Sequence, residues 1–209
     1  PSSGEWGYDD LVRLDVPAVV ECARARADGR PLIVVGHSLG GHVALAAQGT
    51  GRIAADAIVT LGANVWLRSL EPSRLRWVAK RAVARAVLAV SERASGLPAR
   101  RLRVGSDDAS ARYTRDLFRG VTSGSWTSDD GHDDYLAGLA SVTIPVAAVV
   151  GDRDHVMCHP ASGAAFARRC AGPVRVLHAD AGHMELVTGE RPRPVVVEAV
   201  EWALRQARP

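Results

Sequence analysis

An apolar run that passes through a glycine-rich turn into an alanine-rich stretch constrains this chain more than any other feature. The run PLIVV at residues 31–35 is typical of a strand buried on both faces. GHSLG follows at residues 36–40, and the apolar residues after it recur at helical spacing. The pattern therefore predicts a strand, a tight turn and a helix, with Ser38 at the apex of the turn.

Such a turn requires small residues on both sides of its apex. The apex backbone is strained, and the residues two before and two after it must lack bulk so that the strand and the helix can approach. Gly36 and Gly40 occupy these two positions. The Ser38 hydroxyl would then be exposed above the sheet, and the Leu39 amide at the helix N-terminus would be free to donate to an oxyanion. A Gly-x-Ser-x-Gly match alone also arises by chance, so the flanking strand and helix carry this interpretation.

In this setting, GHSLGG at residues 36–41 resembles the nucleophile elbow of the α/β-hydrolase superfamily. The resemblance implies Ser38 as the nucleophile. It also implies an α/β fold with a mostly parallel sheet, helices on both faces and a helical cap insertion. In relatives, about three or four strands and a glycine-rich loop precede the elbow. They do not fit into the first 37 residues, so we expect the first strands of the fold to be missing.

The order of apolar runs predicts a core interrupted by one insertion. Helical spacing extends from Asp9 to Ala27, and buried strands are predicted at 56–62, 144–151 and 174–178. Further helices are predicted at 160–171 and 194–205. The resemblance implies a hydrolase core at 1–66 and 141–209, with a helical cap or lid at 67–140.

Two further motifs follow the elbow in the order that the family uses. The strand at 144–151 leads into Asp152, Arg153 and Asp154, and AGH at residues 181–183 precedes the last helix. The resemblance implies Asp154 as the catalytic acid, because the family sets the acid three residues after the glycine, and His183 as the catalytic histidine. Asp152 would then be a turn residue, and a turn or helix-capping role is the alternative for either aspartate.

These residue types together support one chemistry. A serine hydroxyl is a poor nucleophile at neutral pH, so His183 would take its proton while Asp154 fixes the imidazole tautomer. Leu39 would supply one oxyanion donor. The family takes its second donor from a loop after an earlier strand, a segment that we expect to be absent, and losing one donor typically costs about two to three orders of magnitude in rate.

Residues 67–140 carry two opposite blocks of charge. Ten basic residues lie between Arg68 and Arg103, against Glu71 and Glu92, and seven aspartates follow between Asp107 and Asp134. We favour blocks that neutralise each other over a patch for an anionic substrate or a membrane surface. A long amphipathic helix is predicted at 72–95, and its apolar side would roof the pocket together with Trp77, Phe118 and Trp126. We name His37, Trp66 and Trp126 as candidate substrate-binding residues; a packing role for Trp66 is an equal alternative.

Metal and cofactor sites are not expected. The aspartate-rich run at 129–134 lacks the terminal glutamate of a calcium loop and is more typical of a solvated loop. Cys22, Cys158 and Cys170 are odd in number and lack zinc-ligand spacing, so we expect buried, unpaired thiols.

Composition limits the partners. The net charge is +3 and Lys80 is the only lysine, but no nucleic-acid motif accompanies the arginines. No apolar run is long enough to span a bilayer, and no signal-like segment is present. We expect a cytoplasmic protein with a small-molecule acyl substrate, no nucleic-acid partner and no stable membrane insertion.

The expected function is a serine hydrolase of the carboxylesterase, lipase or monoacylglycerol-lipase kind, working through an acyl-enzyme on Ser38. A non-catalytic protein of the same fold that binds a ligand or a partner is one alternative. An acyltransferase, which passes the acyl group to an acceptor other than water, is another.

Overall fold

The computed structural model describes residues 6–97 and 108–207. The strands within these residues are β1 (Ile33–His37), β2 (Ala57–Leu61), β3 (Gly96–Leu97), β4 (Ala109–Ser110), β5 (Val146–Gly151) and β6 (Val174–Ala179). The α-helices are α1 (Tyr8–Asp10), α2 (Val16–Arg26), α3 (Leu39–Gly49), α4 (Arg74–Arg93), α5 (Ala111–Ser123), α6 (Tyr135–Gly138), α7 (Pro160–Ala167), α8 (Glu185–Thr188) and α9 (Arg193–Gln206). Short π-helical and 3-10 segments lie at Leu11–Asp15, Arg68–Leu70 and Leu139–Ser141.

The described residues divide into two compact units. We call residues 12–65 and 135–207 the core unit, and residues 6–11, 66–97 and 108–134 the insertion unit. Four members of the predicted charge blocks, Arg100, Arg101, Arg103 and Asp107, lie outside the described residues.

The core unit is built on a parallel sheet with the strand order β1-β2-β5-β6. His37 is level with Leu61 at the ends of β1 and β2, and Gly151 is level with Ala179 at the ends of β5 and β6. All four carboxyl ends therefore lie along one edge. Loops at this edge of an open parallel sheet are where such folds place their sites.

Helices flank the sheet because its strands are apolar on both faces. On one face, Val59, Leu61 and Val149 form a buried cluster with Ala199 and Ala203 of α9. Alternate residues point the other way, toward α3 and α7. A Cβ added at Gly41 of α3 would lie 3.3 Å from Thr60 Cβ, and one at Gly163 of α7 would lie 3.0 Å from Val150 Cγ1. The α/β fold class predicted from the sequence is thus confirmed.

The elbow strand differs from its prediction in length and in burial. β1 continues through Gly36 to His37, and Val35 is 49% exposed instead of buried. In the described sheet β1 pairs with β2 alone. Because β1 is the edge strand, the helix that covers β2 and β5 shields it only in part.

The segment before β1 is helical as predicted. The π-helical Leu11–Asp15 joins α1 to α2, so Pro17 lies within one continuous helical stretch, directly after the π-helical turn. The expectation of buried thiols holds for Cys158 and Cys170 but is wrong for Cys22, which is exposed on α2.

In the insertion unit, α4 does not bury the side that its pattern marks as apolar. Leu75 and Val78 are 80% and 63% exposed, whereas Lys80, Ala84 and Ser91 are buried. The reason is a buried ion pair. Lys80 Nζ lies 2.9 Å from Glu71 Oε2 and 5.2 Å from the centre of the Trp66 ring.

Glu71 is the centre of that buried cluster. Its other oxygen accepts a hydrogen bond of 2.9 Å from Arg76 Nε. Burial alone would raise the pKa of Glu71, but the bonds from Lys80, Arg76 and the Ser73 amide outweigh it and lower the pKa to about 2. Glu71 is therefore an anion at any ordinary pH.

The expected neutralisation of one charge block by the other is not seen among the described residues. Asp116 and Asp129 of the acidic block pair with Arg119, which lies outside the basic block. Arg76 and Lys80 of the basic block pair with Glu71. Arg74, Arg81, Arg85 and Arg93 of α4 form no ion pair with any other described residue. Within the described ranges, no helix is both long enough and apolar enough to cross a membrane.

Candidate active site

The turn between β1 and α3 holds Ser38 in a strained conformation. Ser38 has φ 50° and ψ −116°, a left-handed geometry that non-glycine residues rarely adopt. The Ser38 amide donates to Leu61 O at 2.8 Å, which ties the elbow to the end of β2. Residues held this way cost about 1–3 kcal/mol and are concentrated at functional sites.

The glycines that the turn requires are Gly36 and Gly41, and the prediction for Gly40 is wrong. A Cβ on Gly36 would lie 2.5 Å from Gly41 N, and one on Gly41 would lie 2.6 Å from Ala63 Cβ. A Cβ on Gly40 would meet nothing within 4 Å. The prediction took the residues two before and two after Ser38 as the crowded positions. In the structure, the start of α3 turns Gly40 outward and brings Gly41 against the strands.

Ser38, His183 and Asp154 are brought together at the carboxyl edge of the sheet. His183 Nε2 lies 2.9 Å from Ser38 Oγ, and His183 Nδ1 lies 2.5 Å from Asp154 Oδ2. Gly62, after β2, makes room for the ring, because a Cβ there would lie 3.3 Å from His183 Nδ1. Hydroxyl, imidazole and carboxylate thus form one continuous line of hydrogen bonds.

Asp154 is buried and held as an anion. Its Oδ1 accepts from the Met157 amide at 3.0 Å. Burial alone would raise the pKa of Asp154, but the bonds from His183 and from the Cys158 and Met157 amides outweigh it and lower the pKa. Asp152 instead lies 2.7 Å from His178 Nδ1 on the surface. The geometry thus distinguishes the two aspartates that the sequence offered.

The Leu39 amide begins α3 beside the Ser38 hydroxyl. Within the part of the chain that the structure describes, it donates no hydrogen bond to another residue. The first amides of a helix lack intrahelical partners and carry the positive end of the helix dipole. This amide is therefore available to an anion.

His37 lies against the loop that holds His183. Its Nε2 is 3.0 Å from the His183 carbonyl oxygen, so the ring nitrogen donates there, and the two imidazole centres are 4.7 Å apart. Burial and the neighbouring His183 lower the pKa of His37, although the bond to the carbonyl and the charge of Asp154 oppose this. His37 therefore places a neutral ring against the backbone of His183. The predicted contact of His37 with a substrate stays a prediction.

Arg153 links the loop of Asp154 to the loop of His183, a role that sequence reasoning missed. Its guanidinium contacts Asp180 Oδ1 at 2.9 Å, Asp180 O at 3.1 Å and Glu185 Oε2 at 2.9 Å. Glu185 Oε2 in turn accepts from the Gly182 amide at 2.6 Å. The residues on both sides of His183 are thus fastened to the residue before Asp154.

The two tryptophans named as substrate-binding candidates belong to the insertion unit. Trp66 stacks edge-on against Phe118 with ring centres 5.6 Å apart and lies under the Lys80 ammonium. Trp126 is 7% exposed and lies 6.4 Å from Tyr8, ring centre to ring centre. Both indoles have packing partners, and their contact with a substrate is untested.

Metal-ligating groups are not clustered. Across residues 6–97 and 108–207, no three His, Cys, Asp or Glu side chains are placed to hold a metal ion. In the aspartate-rich run, Asp130 accepts from the Ser128 hydroxyl at 2.6 Å and the His132 amide at 3.1 Å. These are local turn contacts.

Solved structures with the same fold include several enzymes. A monoacylglycerol lipase from Paleococcus ferrophilus is similar with a TM-score of 0.60 and 13% identity, over 98% of this chain and 78% of its own. An esterase from Thermogutta terrifontis has a TM-score of 0.56 and 18% identity, over 99% and 75%. Est1E from Butyrivibrio proteoclasticus has a TM-score of 0.61 and 17% identity, over 97% and 71%. No curated protein sequence matches the chain.

The sequence profile of one family covers nearly the whole chain. It is described as the alpha/beta hydrolase family, and it matches residues 1–199. The parallel sheet, the elbow after β1 and the solved structures of similar fold agree with this match. The chain therefore belongs to the alpha/beta hydrolase family.

Proposed function

We propose that this protein is a serine hydrolase that cleaves a carboxylic ester or a related acyl bond through an acyl-enzyme on Ser38. One observation carries the proposal: His183 bridges Ser38 Oγ at 2.9 Å and Asp154 Oδ2 at 2.5 Å. A hydroxyl that is hydrogen-bonded to an imidazole, which is in turn bonded to a buried carboxylate, is the arrangement that activates a serine as a nucleophile.

The reaction follows from the donor and acceptor pattern. Ser38 Oγ attacks the acyl carbon while His183 Nε2 takes the hydroxyl proton, and the imidazolium then gives this proton to the departing alkoxide. Water then attacks the acyl carbon and gives a proton to His183, and His183 returns this proton to Ser38 Oγ as the carboxylic acid leaves. Asp154 holds Nδ1–H and stabilises the imidazolium without being protonated itself.

The Leu39 amide is our candidate for an oxyanion donor. It lies next to the nucleophile at the start of α3 and is open to an anion. A single donor of this kind typically contributes about 10²–10³ in rate.

The names of the similar structures support the choice of ester bonds. They include a monoacylglycerol lipase at 13% identity and an esterase at 18% identity. We further propose that residues 1–66 and 141–209 act as the hydrolase core and that residues 67–140 act as a cap that selects the acyl group.

Probe labelling tests the proposed nucleophile. A fluorophosphonate probe is expected to label the wild-type protein, and short p-nitrophenyl esters are expected to be hydrolysed. Ser38→Ala should abolish labelling and lower kcat/KM by at least about 10⁴-fold. Ser141→Ala, at an exposed serine of the core unit, is the matched control and should behave like wild type.

The other outcomes discriminate between the alternatives. A folded protein that takes no label contradicts the proposal and favours a ligand-binding protein. Labelling without hydrolysis, together with acyl transfer to an added alcohol or amine, would identify an acyltransferase. Equal labelling of the Ser38→Ala variant would place the nucleophile elsewhere.

A further inference from the structure

One side of α4 is apolar and faces solvent. Its larger members are Leu75, Val78, Val83 and Val90, which are 80%, 63%, 49% and 44% exposed. We define the outward stripe as these four residues with three exposed alanines of the same helix: Leu75, Val78, Ala79, Ala82, Val83, Ala86 and Val90. A third of the large hydrophobic side chains that are exposed in the described structure thus lie on one helix.

The outward stripe lies roughly opposite the buried side of α4. A helix turns about 100° per residue, which places the stripe within an arc of about 140° and Lys80, Ala84 and Ser91 on the far side. The stripe runs from residue 75 to residue 90, a length of about 22 Å at 1.5 Å per residue. The packing of α4 in the insertion unit therefore uses one side of the helix and leaves the stripe uncovered.

One edge of the stripe is positively charged. Arg74, Arg81 and Arg85 are exposed and lie within about 40° of one another around the axis of α4. None of them has an ion-pair partner among the described residues. Glu92, the one acidic residue of α4, lies on the same side of the helix, about 10 Å along the axis beyond Arg85. The edge thus holds three arginines, which we call the arginine row, and one carboxylate, and it is positively charged.

We propose that the outward stripe and its arginine row dock this protein onto a lipid surface that contains anionic headgroups. Helices that lie in the interface of a bilayer often have an apolar face bordered by basic residues. The apolar face lies at the acyl boundary, and the cations lie among the headgroups. The charge of the row is complementary to such a surface.

The stripe favours lipid over a protein partner. Its seven members are aliphatic and carry no hydrogen-bonding side chain. Protein interfaces use aromatic anchors and directed polar contacts at their centres. A fluid lipid boundary requires only apolar area and positive charge.

Vesicle binding tests the proposal independently of the proposed chemistry, since it is measured with the Ser38→Ala variant. The protein is mixed with phosphatidylcholine vesicles that hold about 30% phosphatidylglycerol, or with pure phosphatidylcholine vesicles, and the bound fraction is measured by flotation. Binding is expected only with phosphatidylglycerol, and it should weaken as salt rises.

Two pairs of variants locate the surface. R81Q/R85Q should lower partition by roughly tenfold, whereas R168Q/R169Q, at two exposed arginines of the core unit, should leave it unchanged. V78S/V83S should lower partition severalfold, whereas V19S/V197S, at helical valines that are 68% and 47% exposed, should not. Circular dichroism checks that each variant keeps its helices.

Three results would overturn the proposal. These are the absence of binding to phosphatidylglycerol vesicles, equal binding to both kinds of vesicle, and binding that the α4 variants do not change. Self-association that V78S/V83S abolishes, without vesicle binding, would assign the stripe to a second copy of the chain instead.

Discussion

At the scale of single residues, two aspartates that are two positions apart are expected to differ sharply in their effect on activity. Asp154 accepts from His183 Nδ1 at 2.5 Å and is 3% exposed. Asn at this position would offer an amide donor and favour the wrong imidazole tautomer. We expect Asp154→Asn to lower kcat by about 10⁴-fold with an intact fold, measured on p-nitrophenyl butyrate.

Asp152→Asn is the matched control for that experiment. It removes only an exposed contact with His178, and such surface pairs contribute about 0–1 kcal/mol to stability. Its kcat should stay within about twofold of wild type. A comparable loss in both variants would mean that the site depends on the charge of the loop and not on the bond to His183.

The residues of the site were predictable from the sequence where motif and order define them. Ser38, Asp154 and His183 follow the family order, and His183 lies within hydrogen-bonding distance of both of the others. Their catalytic roles stay a prediction. Arg153 was not predictable, because its partners Asp180 and Glu185 lie 27 and 32 residues further along the chain. No local pattern marks a contact that depends on how two loops fold together.

At the scale of elements, the elbow predicts opposite outcomes for two adjacent glycines. Gly41→Ala would place a Cβ 2.6 Å from Ala63 Cβ and 2.9 Å from Gly36 O, so we expect it to lower the free energy of unfolding by about 1–3 kcal/mol or more. Gly40→Ala meets open space in a helix and should raise it by up to about 1 kcal/mol. Urea unfolding measures both, and a greater loss for Gly40→Ala would contradict this geometry.

The link that Arg153 forms between the loops of Asp154 and His183 should affect turnover more than affinity. Arg153→Met removes the contacts to Asp180 and Glu185, so residues 180–185 should sample positions in which His183 is not aligned with Ser38. We expect kcat to fall about threefold to tenfold with little change in KM, as for a group that positions another. High salt should reduce wild-type kcat in the same direction, because it screens exposed ion pairs.

Arg175→Met supplies the control for the Arg153 variant. Arg175 is similarly exposed on β6 and pairs with Glu198 of α9, away from both loops. Its kcat should match wild type. If Arg153→Met raises KM and leaves kcat unchanged, Arg153 serves binding and not alignment.

Strands and helices were predictable from apolar periodicity, but their burial was not. β2, β5, β6, α7 and α9 lie where the pattern placed them, to within a few residues. The pattern of α4 marked its apolar side, yet the buried side holds Lys80, because Glu71 and Trp66 receive that ammonium. Burial of a charge depends on a partner that periodicity does not show.

At the scale of the whole molecule, stability in acid depends on carboxylates that folding keeps ionised. The pKa values of Asp56, Glu71, Asp129 and Asp154 are lowered, and that of Asp116 is raised by burial despite its bonds to Arg119 and Tyr8. A group with a lowered folded pKa binds its proton more tightly in the unfolded chain. Protonation therefore favours unfolding for four of these five groups.

Among these carboxylates, Glu71 should make the largest contribution to the acid sensitivity. The buried His42, whose pKa folding lowers from 6.5 to about 3, adds to the loss of stability as the pH falls. The pKa of Glu71 falls from 4.5 to about 2 on folding, so its stabilisation is complete above pH 4.5 and is lost as the pH falls toward 2, by up to about 3 kcal/mol. Urea unfolding between pH 2 and 7 should show this fall in wild type.

E71Q/K80M removes the anion and its buried partner together, so no unpaired ammonium remains, and the slope of stability against pH should flatten. Glu201→Gln, which affects only an exposed pair with Arg205, should keep the wild-type slope. An equal slope in E71Q/K80M would mean that the acid sensitivity arises in the core unit, where Asp56, Asp154 and the buried His42 lie.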